Sequence, residues 1–249
     1  MDITPLKALD DNYIYLLVGR AERAAACVDP GEAGPVREFL QSRGLRLDTI
    51  LVTHHHGDHT GGNRELLQQF PGAHVLGGAT DRARIPGLTR PLANGDAIEV
   101  LGQRGTVLDV PGHTTGHVAY FFPAPDGGDL FSGDTVFGGT IGNLFGGTPE
   151  QMLASIAKIR ALPAGTRIWC AHEYTLTWVR EAARLDPGNG RLRERLARLE
   201  AHPDRPTVPL LLEEELATNP YFRWDDPALQ KRLGTPDGPS TFFRLCEME

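Results

Sequence analysis

One short segment, residues 50–59, constrains the fold of this chain more than any other. It starts with the apolar, β-branched run ILVT and ends in the ligand-rich turn HHHGDH. Such a run predicts a buried strand, and a turn that leaves the end of a strand can direct several side chains to one point. We therefore expect a sheet in which this strand ends at a metal site.

The side chains of this turn can serve two metal ions. His54 and His56 are two residues apart and can converge on one ion, whereas Asp58 and His59 can turn to a second. Neutral imidazole and carboxylate suit zinc, iron or manganese. We expect His55 to point away from both ions.

Three further ligand types follow strand-like runs later in the chain, namely His113, Asp134 and His172. Each can therefore lie at the same sheet edge as the first turn. Asp134 suits a bridging role, because one carboxylate oxygen can serve each ion. An isolated His-x-His is commonly incidental, but packing alone rarely produces the whole set. The predicted sites are His54, His56 and His113 on one side and Asp58, His59 and His172 on the other.

Two more polar residues are expected to lie on the same side of the fold as these ligands. His117 ends the segment PGHTTGH, and we expect it to hydrogen bond to a ligand rather than to bind metal. Asp29 ends the strand-like run before Pro30. It either orients a ligand histidine or makes a turn.

Charge and composition exclude several classes of function. The net charge of -7 and the pI near 5.7 argue against nucleic acid and anionic membranes as partners, since both require a basic face. The sequence has no run of 18 apolar residues and no signal-peptide pattern at its start. Three scattered cysteines do not form a disulfide framework. We expect a cytoplasmic protein that is a monomer or a weak homodimer.

The pattern of elements predicts an α+β fold. Helices are expected at 33–43, 63–70 and 149–162, and the last begins with a capping box, Thr148 to Gln151. After about residue 175, helices predominate, at 176–185, 191–201, 209–217 and 227–233. We expect a catalytic domain at 1–174 and a helical substrate-recognition domain at 175–249. The predicted strands are Tyr13–Val18, Ala24–Asp29, Thr49–Thr53, His74–Gly77, Ile98–Leu101, Thr106–Val110, His117–Phe122, Asp129–Ser132 and Arg167–Ala171.

These motifs resemble the metallo-β-lactamase superfamily, whose signature is HxHxDH followed by separate His, Asp and His ligands. Within it the sequence is most similar to glyoxalase II, the hydroxyacylglutathione hydrolases. The segments that carry the resemblance are DNY at 11–13, VDPG at 28–31, THHHGDHTGG at 53–62, PGHTTGH at 111–117, GDT at 133–135, GT at 147–148 and HEYT at 172–175.

The resemblance runs nearly from end to end and implies a specific fold and reaction. The fold is a four-layer αββα sandwich with a small, all-helical C-terminal domain. The reaction is hydrolysis of the small-molecule thioester S-D-lactoylglutathione to D-lactate and glutathione. Two divalent metal ions, zinc in the first place and otherwise iron or manganese, activate water. Asp58 lies beside that water as the catalytic residue that accepts or shuttles its proton.

The chain departs from this family where glutathione is bound. A basic residue of the family loop is replaced here by Asn143, in the loop that also carries Phe145. Tyr174 is retained. The family's C-terminal Arg-x-x-Lys aligns with Cys246 and Glu249, and a shift of two residues would place Arg244 at its first position. We take Asn143, Phe145, Tyr174 and Arg244 as the substrate-binding candidates.

Glutathione carries two carboxylates, so the loss of charge-assisted contacts worth about 1.5–3 kcal/mol each predicts altered thiol recognition. The alternatives are therefore a hydrolase of another thioester, or of a lactone, on the same fold. Persulfide dioxygenases use a single iron, whereas all seven ligand positions are filled here. A metal-binding module without catalysis is the alternative outside the enzymes.

Overall fold

Two six-stranded sheets form the centre of the computed structural model, which describes residues 1–19 and 23–248. The strands of the first sheet lie side by side in chain order. The first three strands pair antiparallel, each with the next, and the remaining neighbours are parallel. Its strands are β1 (Asp2–Ala8), β2 (Asn12–Val18), β3 (Ala24–Val28), β4 (Arg46–Val52), β5 (His74–Gly78) and β6 (Arg90–Leu92).

The second sheet has the order β14-β13-β10-β9-β8-β7. Its pairs are antiparallel except for β10 with β13. Its strands are β7 (Ala97–Val100), β8 (Gln103–Asp109), β9 (Val118–Phe122), β10 (Asp129–Gly133), β13 (Arg167–Cys170) and β14 (Leu210–Leu211). A separate hairpin joins β11 (Val136–Phe137) to β12 (Thr140–Ile141).

The helices are α1 (Gly34–Arg43), α2 (Gly57–Thr60), α3 (Asn63–Gln69), α4 (Pro149–Arg160), α5 (Thr175–Leu185), α6 (Gly190–Glu200), α7 (Leu212–Thr218), α8 (Pro227–Leu233) and α9 (Gly238–Cys246). Of these, α1 and α3 pack on the outer face of the first sheet, and α4, α7, α8 and α9 pack on that of the second. None of the helices among the described residues is both long and apolar enough to cross a membrane.

Side chains that alternate along the strands produce the layers. In β2, Tyr13, Tyr15 and Leu17 pack between the two sheets, whereas Ile14 and Leu16 pack with α1 and α3 on the outer face. A third apolar cluster joins the outer face of the second sheet to α4 and the C-terminal helices. The four layers confirm the predicted α+β sandwich.

The start of α4 has the predicted capping box. The Thr148 hydroxyl accepts a hydrogen bond from the Gln151 backbone N–H at 3.3 Å, and the Gln151 side chain accepts one from the Thr148 N–H at 3.0 Å. Pro149 occupies the first turn, where its missing N–H costs nothing. This fixed start holds the end of the preceding loop, residues 142–148.

The C-terminal part is helical apart from one short strand. The predicted helix at 209–217 was wrong at its start: Leu210 and Leu211 form β14 and pair with β13, and the helix occupies Leu212–Thr218. Pairing satisfies backbone groups that the edge of β13 would otherwise leave open. Helices α7, α8 and α9 also share one apolar core with the second sheet, whereas α5 and α6 form a separate apolar cluster with each other. The division into two domains at 174/175 therefore stays a prediction. The last residue of the predicted second domain, Glu249, lies outside the described residues.

Besides β14, the elements that were not predicted are strands β1, β6, β11 and β12 and helices α2 and α9. Strand β1 contains Pro5, which an edge strand tolerates because one side of it needs no ladder hydrogen bonds. Helix α9 begins at an N-cap, Asp237, whose carboxylate accepts from the Ser240 N–H at 2.9 Å. Asp-Gly-Pro-Ser at 237–240 was the available signal.

Candidate metal centre

Four ligand-bearing segments leave the carboxyl ends of strands and meet at one edge of the sandwich. The turn 54–59 follows β4, His113 follows β8, Asp134 follows β10 and His172 follows β13. The rigid strands fix where each segment starts, and the short turns then bring the side chains together. We call the seven side chains the metal centre: His54, His56, Asp58, His59, His113, Asp134 and His172.

Three histidines form the first group of the metal centre. His54 Nε2 lies 2.9 Å from His56 Nδ1, and His113 Nε2 lies 3.1 Å from the same atom. One nitrogen of each ring points to a common centre, and the three atoms lie within 4.8 Å of one another. This is the group expected to hold one ion.

The second group is formed by Asp58, His59 and His172. Asp58 Oδ2 lies 3.3 Å from His59 Nε2 and 3.4 Å from His172 Nε2. The three ligand atoms again lie within 4.8 Å of one another. The Asp58 side chain is 38% exposed, so it is the member of this group that solvent and substrate can reach.

Asp134 lies between the two groups. Its Oδ1 is 3.4 Å from His59 Nε2 and 3.5 Å from His172 Nε2, whereas its Oδ2 is 3.4 Å from His113 Nε2. Each oxygen therefore faces one group, as a bridging carboxylate requires.

The polar atoms of the centre fit a pair of cations. Among the described residues, His59 Nε2 and Asp134 Oδ1 are buried and have no hydrogen-bond partner. A buried polar atom without a partner costs about 1–3 kcal/mol. Metal ions would satisfy these atoms, and the nitrogen and oxygen donor set suits zinc and iron.

The charge around the two groups differs. Burial lowers the pKa of His54 well below its usual value, and burial also lowers the pKa of His56 and His113, so these rings are neutral. Burial alone would likewise lower the pKa of His172, but Asp134 and Asp58 outweigh it and raise the pKa to about 10. The second group thus concentrates negative charge, which a cation would neutralise.

Asp29 supports the turn from beneath. Its carboxylate accepts from the Thr53 N–H at 2.8 Å and from the Thr53 hydroxyl at 2.7 Å, and its Oδ2 lies 3.1 Å from His59 Nδ1. Asp29 adopts φ 51°, a conformation uncommon for residues other than glycine. The two roles left open by the sequence are therefore compatible, since Asp29 both shapes the turn and lies behind a ligand.

His117 is fully buried beside the ligands. Its Nε2 accepts a hydrogen bond from the Asp134 backbone N–H at 3.1 Å, and its ring stacks on His54 with centroids 4.7 Å apart. His117 therefore contacts a ligand residue through the backbone rather than through the carboxylate. His55 points away, and its Nδ1 lies 2.9 Å from Asp81.

Three substrate-binding candidates lie against the metal centre, and we call them the outer wall: Asn143, Phe145 and Tyr174. The Asn143 carbonyl is 2.7 Å from His113 Nδ1, and the loop can come this close because Gly142 has no Cβ, which would lie 1.8 Å from the Asp134 carbonyl oxygen. Phe145 is 68% exposed, and its ring centroid lies 5.3 Å from that of His113.

Tyr174 forms the other side of the outer wall. Its ring is nearly parallel to that of His172, with centroids 4.9 Å apart and an interplanar angle of 5°. Burial, with a contribution from nearby Asp11, raises the pKa of Tyr174 to about 12. The phenol therefore keeps its proton and can donate a hydrogen bond.

The fourth candidate, Arg244, is placed differently. Its Nη1 lies 2.9 Å from Glu247 Oε2 on an exposed face of α9. No contact described for residues 1–19 and 23–248 joins Arg244 to the metal centre. Its role in substrate binding stays a prediction.

The sequence reasoning assigned no role to Asp11 and Asn12, which contact the ligands directly. Asp11 Oδ1 lies 2.7 Å from His172 Nδ1, and Asn12 Nδ2 donates to Asp58 Oδ2 at 3.2 Å. The only signal was the family-like segment at 11–13, to which no role was assigned.

Comparisons with known proteins agree with this architecture. The profile of the metallo-beta-lactamase superfamily matches residues 9–172, and that of the hydroxyacylglutathione hydrolase C-terminus matches residues 173–248. The chain therefore belongs to the metallo-β-lactamase superfamily and, within it, to the hydroxyacylglutathione hydrolases.

Curated relatives match over the whole chain. A protein of Synechocystis sp. named hydroxyacylglutathione hydrolase is 49% identical, covering 100% of this chain and 99% of its own length. One of Synechococcus sp. with the same name is 51% identical, covering 98% and 97%. A solved structure, TTHA1623 in a di-iron-bound form, has a TM-score of 0.62 at 26% identity and covers 88% of this chain and 99% of its own.

Proposed function

We propose that this protein is a dinuclear-metal thioesterase that hydrolyses S-D-lactoylglutathione to D-lactate and glutathione. The observation that carries the proposal is the convergence of two ligand groups on Asp134, which lies between them. The names of the curated relatives support the same substrate. Such an enzyme would serve in the detoxification of methylglyoxal.

Zinc is the proposed metal, with iron or manganese as alternatives. Five histidine rings and two carboxylates form a donor set that all three metals accept. The structural relative described above was crystallised with two irons. Elemental analysis of the purified protein would identify the metal.

The reaction adds water to the thioester carbonyl carbon and breaks the C–S bond. Bound divalent ions would supply the Lewis acidity that activates water and polarises the carbonyl. Asp58 is the proposed proton acceptor, because its carboxylate is partly exposed and is held by Asn12 beside the second group. The electron pair of the broken bond leaves on sulfur as a thiolate. A thiolate is a good leaving group, so the reaction needs no strong general acid.

A second candidate is hydrolysis of a thioester with a less anionic thiol. The outer wall carries an amide and two aromatic rings, and Arg244 is engaged with Glu247. Among the described residues, no lysine or arginine contacts the metal centre or the outer wall, so the carboxylates of glutathione would gain less there than charge-assisted hydrogen bonds normally provide.

Steady-state kinetics with matched substrates distinguish these candidates. The zinc-loaded protein is assayed with S-D-lactoylglutathione and with the lactoyl thioester of an uncharged thiol. A micromolar KM for the glutathione substrate supports the first candidate and rules out the second. A preference for the thioester of the uncharged thiol supports the second candidate and rules out the first. Turnover of a lactone alone, or two bound metals with no hydrolysis, would contradict both.

Other properties remain proposals of the same kind. We propose a catalytic region at 1–174 and a substrate-recognition region at 175–249. The cytoplasmic location, the monomer or weak homodimer and the absence of nucleic-acid and membrane partners stay predictions.

A further inference from the structure

Three consecutive residues, Asp11, Asn12 and Tyr13, lie against the second group of the metal centre. Asp11 Oδ1 lies 2.7 Å from His172 Nδ1, and Asn12 Nδ2 donates to both the side chain and the backbone of Asp58, at 3.2 and 3.4 Å. The Tyr13 hydroxyl donates to Glu173 Oε2 at 2.6 Å. Each residue thus holds a ligand or the residue next to one.

The backbone fixes this segment in place. The Tyr13 N–H donates to the Ala171 carbonyl at 2.7 Å, and the Glu173 N–H donates to the Asp11 carbonyl at 3.0 Å. These bonds join the start of β2 to the end of β13, so the segment connects the two sheets at the metal centre. Asp11 therefore meets His172 in a defined geometry, although its side chain is 41% exposed.

Among residues 1–19 and 23–248, no carboxylate contacts the Nδ1 atom of His54 or of His113 in the first group. His54 Nδ1 lies 3.1 Å from the Thr53 hydroxyl, and His113 Nδ1 lies 2.7 Å from the Asn143 carbonyl. Both partners are neutral, although the Thr53 hydroxyl in turn donates to Asp29 Oδ2 at 2.7 Å. In the second group, His172 Nδ1 has a carboxylate partner, Asp11, and the Asp29 carboxylate lies 3.1 Å from His59 Nδ1 without forming a hydrogen bond to it.

This difference has a chemical consequence. A partner at Nδ1 places the ring proton there and leaves the Nε2 lone pair for a metal, whether the partner is neutral or charged. A carboxylate partner also adds negative charge and makes the ring a stronger donor. The second group also contains a carboxylate ligand, Asp58. Its orientation is fixed by the hydrogen bond from Asn12.

We propose that Asp11 and Asn12 are positioning residues that make the Asp58–His59–His172 group the tighter of the two metal sites. The inference rests on the proposed two-metal centre. It assigns an order of filling: the first ion enters the carboxylate-supported group, and the second enters the three-histidine group.

Titration of the metal-free protein with zinc against a chromophoric chelator tests this. We expect the parent protein to bind two ions with unequal affinities. Asp11→Asn, which keeps the size of the side chain and removes its charge, should weaken the tighter site by about 10–100-fold and leave the weaker site unchanged. His113→Ala should do the reverse, abolishing the weaker site while the tighter one persists.

Controls separate a metal effect from a folding effect. Asp10→Asn changes the same charge at the neighbouring exposed position and should leave both affinities unchanged. The metal-free Asp11→Asn protein should still unfold in one cooperative transition, at a midpoint close to that of the parent. If Asp11→Asn fails to fold, Asn12→Ser, which removes the hydrogen bond to Asp58, provides the same test with an expected loss of about tenfold.

The possible failures are distinguishable. Two sites of equal affinity, or an Asp11→Asn protein that loses affinity at the three-histidine site, would overturn the inference and leave the proposed function standing. A parent protein that binds no zinc, iron or manganese would overturn the two-metal centre itself, and the inference with it.

Discussion

The metal centre and the outer wall are in direct contact, yet their side chains are held in different ways. In the metal centre, the Nδ1 atoms of three histidines face away from the ligand pocket and meet a partner: Thr53 behind His54, the Asn143 carbonyl behind His113 and Asp11 behind His172. In the outer wall, Phe145 is largely exposed, and the Asn143 side-chain amide has no hydrogen-bond partner among the described residues. Only the Asn143 backbone carbonyl is engaged.

This difference suggests that the two tasks of the enzyme are separately adjustable. Pre-positioned ligands lower the reorganisation needed during reaction, so changes there should reduce the rate for every substrate. Changes at Asn143 or Phe145, the two exposed residues of the outer wall, should instead alter which thiol is preferred. Each of the following predictions tests that separation.

The largest effect is expected for Asp134→Asn. An amide cannot supply two anionic oxygens, so one ion should be lost, together with several kcal/mol of transition-state stabilisation. We expect kcat/KM to fall by about 10³-fold or more for all thioesters. Metal analysis and steady-state kinetics measure the two effects. Asp126→Asn, on an exposed loop, is the control. Retention of two ions with parental activity would contradict the bridging role.

The next largest effect is expected for Asp29→Asn. The new amide nitrogen would face a position at which Thr53 donates, and His59 would lose its negative partner. We expect metal affinity to fall by about 10–100-fold and the free energy of unfolding to fall by about 1–3 kcal/mol. Chelator competition and denaturant unfolding provide the measurements. Unchanged affinity would show that His59 needs no carboxylate behind it.

The metal centre and strand β14 also show which features of the structure the sequence can predict and which it cannot. The ligands were predictable because each follows a strand-like run, and strand ends meet at one sheet edge. The contact of Asp11 with His172 was not, since 161 positions separate the two residues and only the meeting of β2 with β13 joins them. Strand β14 was missed for the same reason: pairing with β13, rather than local propensity, decides the conformation of Leu210 and Leu211.

A substitution in the outer wall should alter the preference between substrates rather than the rate for every substrate. Asn143→Lys places a cation at an exposed position beside the metal centre and leaves the backbone carbonyl to hold His113. We expect KM for S-D-lactoylglutathione to fall by about tenfold, the size of one charge-assisted contact, with kcat unchanged. The lactoyl thioester of an uncharged thiol should not respond. Gln68→Lys, on the exposed face of α3, controls for net charge. A change in kcat for both substrates would show that wall and centre are coupled.

The smallest effect is expected for Arg244→Ala, and it decides where the outer wall ends. The Arg244 side chain is 53% exposed and the Glu247 side chain is 66% exposed, so solvent screens the ion pair between them. Such pairs contribute about 0–1 kcal/mol, so unfolding should shift by less than that amount. The value of kcat/KM for S-D-lactoylglutathione tests the predicted role: if Arg244 takes no part in thiol binding, it should stay within about twofold of the parent's, because the change then alters one surface pair alone. Glu247→Gln, which breaks the same pair and keeps Arg244, is the matched control. If Arg244→Ala raises KM severalfold while Glu247→Gln does not, Arg244 leaves its partner to bind the thiol, and the wall extends onto α9.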